Sequence, residues 1–247
     1  MIQQFDFVLQ STRMVTPRVR ELGFVRADGE PLDYQAGQFI TLQIPHEDKI
    51  LRRSYSIATI PGDAAATDEI RIAAADVEGG RATGILFAMQ PGDKVRASGP
   101  FGRFILREDD PPCRYVLIAT GTGVTPYRAM LPELERRIDL EDFKVELMLG
   151  VRAPDELLYG DEFQQIAEKH PGFKFHASYS RRLPEKKGER VHKGYVQEHL
   201  DVLDLNPETD IAYLCGNPGM IDAAAEYMKE KGFPIKSVRR EKYVSSN

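Results

Sequence analysis

Polar and apolar positions alternate in short runs through residues 1–108. Strands are predicted at Phe5–Gln10, Arg18–Ala27, Phe39–Ile44, Arg53–Ala58, Glu69–Ala75, Lys94–Ser98 and Arg103–Leu106. Pairs such as Asp28-Gly29, Pro61-Gly62 and Pro91-Gly92 punctuate them, as turns require. Short alternating strands at this spacing predict an antiparallel barrel or sandwich. One segment breaks the period. Ala82–Met89 puts Ile85, Leu86 and Met89 on one helical face and follows Gly79-Gly80.

The pattern changes after Asp109-Asp110-Pro111-Pro112, which is expected to be a linker between domains at 1–108 and 113–247. Strand and helix now alternate. Tyr115–Ala119 is wholly apolar, as a strand buried on both faces is. The helix Pro126–Arg137, strand Val145–Leu149, helix Asp161–Lys169 and strand Phe173–Tyr179 follow. Next come a short helix Val196–Val202, strand Ile211–Leu214, helix Pro218–Lys231 and a last extended segment Ile235–Tyr243. Such alternation predicts a doubly wound parallel sheet, with ligands beyond the carboxyl ends of its strands.

Composition narrows the class. With 247 residues, 42% hydrophobic and 29% charged, the chain can bury a core of its own. A net charge of −5 argues against a general nucleic-acid binder. Cys113 and Cys215 are too few and too far apart for an iron–sulfur cluster or a zinc site, so no metal is expected. There is no basic, apolar export pattern and no membrane-length apolar run, so the expected compartment is the cytoplasm.

Candidate chemistry lies at four places. In Arg53-Ser54-Tyr55-Ser56 the period of two puts Arg53 and Tyr55 on one face, with Ser56 on the other or displaced. A guanidinium fork suits phosphate, a phenol ring suits a flat ligand, and a hydroxyl can bond a ring nitrogen. The strand Tyr115–Ala119 runs into Thr120-Gly121-Thr122-Gly123-Val124-Thr125-Pro126, a glycine turn into a helix that suits pyrophosphate. Arg152, then Ser180-Arg181-Arg182, follow the next two strands, and Arg190, Lys193, Tyr195 and Gln197 come later. Cations at neighbouring strand ends suit an additional phosphate, such as the 2′-phosphate of NADP. Cys215-Gly216-Asn217-Pro218-Gly219-Met220 closes the set; a small residue and a glycine there leave room for a flat ligand.

In this order the pieces resemble the ferredoxin–NADP reductase family over nearly the whole chain. Arg53-Ser54-Tyr55-Ser56 matches its R-x-Y-S motif and Gly80-Arg81-Ala82-Thr83 its G-x-x-[ST] motif. Gly121-Thr122-Gly123-Val124-Thr125-Pro126 matches G-T-G-x-x-P, and Cys215-Gly216 with Met220 matches C-G-x-x-x-M. The resemblance implies an FAD-binding antiparallel β-barrel followed by an NADP(H)-binding α/β domain. It implies that Arg53 pairs with the FAD pyrophosphate, that Tyr55 stacks on the flavin and that Ser56 bonds near its reactive nitrogen. Ser54 belongs to the same motif. The backbone of Gly80, Arg81, Ala82 and Thr83 would hold the pyrophosphate, and the small Ala73, Ala74 and Ala75 would let a strand approach the flavin. Thr122 would sit between the cofactors. On the nucleotide side it implies Gly121, Gly123, Asn217, Pro218 and Gly219.

For the 2′-phosphate and adenine, Ser180, Arg181, Tyr195 and Gln197 resemble the plastid members, whereas Arg152 resembles the bacterial ones. The division of the phosphate among Arg152, Arg181, Arg182 and Arg190 stays open. Glu241-Lys242-Tyr243 resembles the plastid C-terminus, but Val244-Ser245-Ser246-Asn247 follow, as in bacterial members. Tyr243 would cover the flavin, Glu241 would relay a proton, and Ser56 and Cys215 would shape the nicotinamide contact. The activity implied is ferredoxin or flavodoxin–NADP(+) oxidoreduction by a monomer. The alternatives are an NADH-dependent reductase for a cytochrome or oxygenase, and a flavin subunit without turnover.

Overall fold

The computed structural model describes residues 3–60, 68–110, 114–141 and 143–243, with Glu141 described by its backbone alone. Pro61-Gly62, Pro111-Pro112, Cys113 and the tail after Tyr243 lie outside the described residues. The chain forms two compact units. One takes the residues up to Leu106 together with Thr125–Leu131; the other takes Arg107–Val124 and the residues from Pro132 onward.

The first unit contains β1 (Gln4–Thr16), β2 (Val19–Arg26), β3 (Phe39–His46), β4 (Lys49–Ser56), β5 (Ile70–Ala75), α1 (Arg81–Ala88) and β6 (Lys94–Phe101). Every strand pair is antiparallel, in the order β4-β3-β6-β1-β2-β5. A bridge between Ile57 and Ile72 joins the two ends, and Ala58 N donates to Arg71 O at 2.7 Å, closing the sheet into the expected barrel. The alternation of β3 does the packing: Ile40, Leu42 and Ile44 are buried, while the residues between them are partly exposed. The Phe7 and Phe24 rings stack at 5.5 Å in the same core. Helix α1 adds Ala82 and Leu86 to this core.

Three details depart from the sequence pattern. β1 runs on to Thr16 because a bulge between Leu9 and Ser11 resets its register against β2. The expected strand Arg103–Leu106 is not one: Phe104 is buried beside Tyr127, ring centroids 6.0 Å apart, but its segment joins no ladder. A single buried aromatic thus imitates a strand. Third, the short helix expected at Val196–Val202 is two 3₁₀ turns, Val196–Glu198 and Leu200–Leu203.

The second unit contains β7 (Arg114–Thr120), α2 (Thr125–Glu141, whose first residues belong to the other unit), β8 (Lys144–Val151), α3 (Gly160–Lys169) and β9 (Phe173–Tyr179). It continues with β10 (Val191–Lys193), β11 (Asp210–Gly216), α4 (Pro218–Glu230) and β12 (Val238–Lys242). The order is β10-β9-β8-β7-β11-β12 and every pair is parallel. The sheet grows outward from β7 to β10, then restarts with β11 on the other side of β7. That reversal is the switch point at which doubly wound sheets bind ligands. On one face Val116, Ile118, Ala212 and Leu214 pack against Val196, Leu200 and the α4 residues Met220 and Ile221. Tyr115 turns to the other face, its ring edge-on to Phe143 at 4.6 Å. No described helix is long and apolar enough to cross a membrane.

Candidate active site

In the first unit, β4 carries Arg53, Ser54, Tyr55 and Ser56. Register against β3 sets Arg53 opposite Leu42 and Tyr55 opposite Ile40, so both side chains share one face. Ser54 turns the other way, its Oγ 3.0 Å from Thr41 Oγ1. Tyr55 packs against the barrel core, and burial pushes its phenol up to about 12 despite the opposing charge of Arg53. The ring is therefore neutral. Arg53 Nη1 donates to Arg52 O at 2.9 Å, and Ser56 is buried. On β5, Ala73 and Ala74 are buried and Ala75 is partly so.

Helix α1 starts with no side-chain cap and no acidic residue in its first turn. The N–H groups of Arg81, Ala82 and Thr83 have no intrahelical acceptor, because the first turn of any helix lacks one. Gly80 precedes them in extended conformation, and a Cβ there would lie 2.5 Å from Thr83 Oγ1 and 2.8 Å from Val77 O. Thr83 Oγ1 donates to Gly80 O at 3.0 Å, turning its hydroxyl back onto the loop. Uncapped N–H groups, no competing carboxylate and glycine at the entry fit a phosphate.

In the second unit, Gly121–Val124 forms a 3₁₀ turn between β7 and α2. Gly123 lies against the end of β11, where a Cβ would come 2.4 Å from Cys215 O. Gly216 has φ +121°, and its Cβ would meet Thr120 Oγ1 at 2.5 Å. Side-chain-free backbone at the carboxyl ends of β7 and β11 is what a flat or phosphorylated ligand needs. Thr122 is partly exposed there. Asn217 is committed to capping α4: its Oδ1 accepts from Gly219 N at 2.8 Å and Met220 N at 3.3 Å. Pro218, the next residue, has no N–H to offer.

Cys215, Glu241 and Tyr243 converge. Cys215 pairs with Glu241 across β11 and β12, and Tyr243 N donates to Gly216 O at 2.8 Å. Cys215 is fully buried. Burial, with the charge of Glu241, pushes its thiol well up; a hydrogen bond with the Tyr243 side chain pulls the other way and loses. The thiol is thus a neutral group.

The arginines separate into two kinds. Arg152 pairs with Glu156 at 3.0 Å, and Arg182 pairs with Asp155 at 2.5 Å. Arg181 and Arg190 are exposed, and no side-chain hydrogen bond or ion pair among the described residues occupies them. Ser180 Oγ donates to Val151 O at 3.4 Å. Tyr195 is 59% exposed at the start of its 3₁₀ turn, held by Glu198 Oε2 accepting from Tyr195 N at 3.0 Å; Gln197 beside it is partly buried. Two features escaped the sequence reasoning. One is the strand β10, which stands between Arg190 and Tyr195. The other is Thr125, whose buried Oγ1 has no hydrogen-bond partner among the described residues.

Comparison with known proteins finds two family models along the chain. Residues 6–105 match the oxidoreductase FAD-binding domain and residues 117–226 the oxidoreductase NAD-binding domain. Ferredoxin–NADP reductase B of Sorangium cellulosum (strain So ce56) is 33% identical over 98% of both chains. The electron transfer component of toluate 1,2-dioxygenase from Pseudomonas putida is 29% identical over 98% of this chain and 68% of its own length. The cytochrome P450 reductase of Amycolatopsis superposes with a TM-score of 0.84 at 27% identity, covering 99% of this chain and 71% of that one. An antiparallel barrel with an uncapped helix start, a parallel sheet with glycines at its switch point, and a full-length relative lead to one conclusion: the chain belongs to the ferredoxin–NADP reductase family, oxidoreductases that bind FAD and a pyridine nucleotide.

Proposed function

We propose that the protein transfers electrons between NADP(H) and a ferredoxin or flavodoxin. The observation that carries the choice of NADP(H) is the pair of uncommitted guanidinium groups, Arg181 and Arg190, flanking β9 and β10 with the exposed Tyr195 ring nearby in sequence. Two fixed cations with a flat ring suit a phosphorylated adenosine. The full-length relative named as a ferredoxin–NADP reductase supports the carrier class.

FAD, when bound, supplies hydride exchange with the nicotinamide and one-electron exchange with the carrier. The chain supplies the rest. Arg53 and the N–H groups of Arg81–Thr83 bind the pyrophosphate. Tyr55 would offer a neutral ring to the isoalloxazine, and the Ser56 hydroxyl would hydrogen-bond to it. Ala73–Ala75 keep the neighbouring strand thin. Gly121, Thr122 and Gly123 admit the nucleotide backbone, with Pro218 and Gly219 beside the capped start of α4. Cys215 would present an uncharged thiol to the nicotinamide, the Glu241 carboxylate would relay a proton, and Tyr243 would be the aromatic cover of the flavin.

A second function has a specific observation behind it. Asp155 and Glu156 hold Arg182 and Arg152, and their charge opposes a 2′-phosphate. That favours an NADH-dependent reductase serving an oxygenase or cytochrome; one similar protein is named as the electron transfer component of a dioxygenase and another as a cytochrome P450 reductase. Steady-state reduction of ferricyanide with NADPH and NADH decides between them. A kcat/KM favouring NADPH by tenfold or more supports the first; a preference for NADH replaces it with the second.

A further inference from the structure

A buried cation stands at the far end of helix α1. Arg20, on β2, is 9% exposed and points inward with its strand neighbours Leu22 and Phe24. Its guanidinium reaches α1 with two nitrogens. Nη1 donates to Leu86 O at 3.2 Å and to Phe87 O, and Nη2 donates to Met89 O at 2.9 Å. Nε donates to Thr12 Oγ1 at 2.7 Å. Three of its acceptors are the carbonyls of the last turn and cap of α1, the groups that a helix leaves without internal partners. α1 itself has no basic residue in that turn.

No carboxylate balances Arg20 among the described residues; its partners are carbonyl dipoles and one hydroxyl. A buried charge without a counter-ion is costly, and here the three carbonyl dipoles and the Thr12 hydroxyl offset that cost. The helix is about 12 Å long at 1.5 Å per residue, and its opposite end is the uncapped start at Gly80. A cation at the carboxyl end offsets the negative pole of the helix dipole and leaves the positive pole unopposed. The rigid three-carbonyl fork also fixes the direction in which α1 points its free N–H groups.

We propose that Arg20 is a positioning residue for the diphosphate of FAD: it anchors α1 from behind and sets the polarity of its pyrophosphate-binding end. The proposal rests on the assignment of the α1 start to that diphosphate. It concerns a side chain whose hydrogen bonds all go to Thr12 and the far end of α1.

The test uses Arg20→Lys and Arg20→Met, purified, stripped of flavin and titrated with FAD and separately with riboflavin, which has the isoalloxazine but no diphosphate. The Kd for FAD is expected to rise at least tenfold in Arg20→Met and severalfold in Arg20→Lys, which keeps the charge but gathers its donors on one nitrogen in place of the three that Arg20 uses. The Kd for riboflavin should change less than twofold in both. Equal loss of FAD and riboflavin affinity would overturn the proposal, because it would mark a general loss of the barrel. Unchanged FAD affinity in a folded Arg20→Lys would overturn it too, and that variant remains informative where Arg20→Met does not fold. If the wild-type protein bound FAD no better than riboflavin, the assignment of α1 to the diphosphate would fail instead.

Discussion

At Cys215 the surroundings decide the chemistry of the residue. Its thiol is buried, and burial with the charge of Glu241 pushes its pKa well up, which makes it a shielded, uncharged group. In a Cys113→Ser background, iodoacetamide at pH 8 should label native protein at a small fraction of the rate seen in denaturant; equal rates would show an accessible thiolate. Tyr243, bonded to the same thiol, should gate the nicotinamide. Tyr243→Ser is expected to raise affinity for both NADP(H) and NAD(H) severalfold and to slow turnover; wild-type affinity for both would remove its covering role. The types of Arg53, Tyr55 and Ser56 were legible because their spacing of two and three survives in any strand. The partners of Arg20 were not, since its carbonyls lie 66 to 69 positions away. Nothing local in Val19-Arg20-Glu21 hints at a helix end.

The elements were legible wherever one period governed them. β7 and β11 are apolar at their centres, β8 is mostly so, and β9 alternates, so each core follows directly from its period. Arg103–Leu106 misled because a single inward Phe104 gives the alternation of a strand without a neighbour to pair with. β10 was missed because three residues, Val191–Lys193, are too few to show any period, and only its pairing with β9 makes it a strand. In the proposed function that strand bears on specificity, since it stands between Arg190 and Tyr195. Arg181→Ala or Arg190→Ala should raise the KM for NADPH roughly tenfold and leave that for NADH nearly unchanged, since each guanidinium is free to meet a phosphate. Arg152→Ala should do less, because Glu156 already holds that side chain. A larger effect at Arg152 than at Arg181 and Arg190 would reverse the assignment.

Stability at this scale runs through β8. Glu146 is buried with Arg114 Nη1 at 2.8 Å and His176 Nε2 at 3.0 Å. Burial alone would raise its pKa; the His176 bond and the charges of Lys174, His176 and Arg114 outweigh it and hold the carboxyl below 4.5. A folded pKa below the unfolded one favours the folded carboxylate, so this stabilisation is present above pH 4.5 and lost as pH falls through the folded value. Glu146→Gln should cost about 3 kcal/mol at pH 7 in urea unfolding, with the gap narrowing below pH 4.5. A gap independent of pH would place the effect elsewhere.

For the whole molecule, barrel and doubly wound sheet were both readable from the change of period, and four motifs in order named the family. The sequence pointed to NADP(H), but which arginines would meet its 2′-phosphate was not readable, because pairing of arginines is a property of the fold. Asp155 and Glu156 lie three and four positions beyond Arg152, close enough to pair as a helical turn does, but Asp155 takes Arg182 from another strand end. The central claim is tested most directly by anaerobic titration of the purified yellow protein with NADPH and with NADH, following the visible flavin band. Bleaching by stoichiometric NADPH, with NADH needing at least tenfold excess, is the expected result. Preferential bleaching by NADH, or a protein that takes up no FAD, would contradict it.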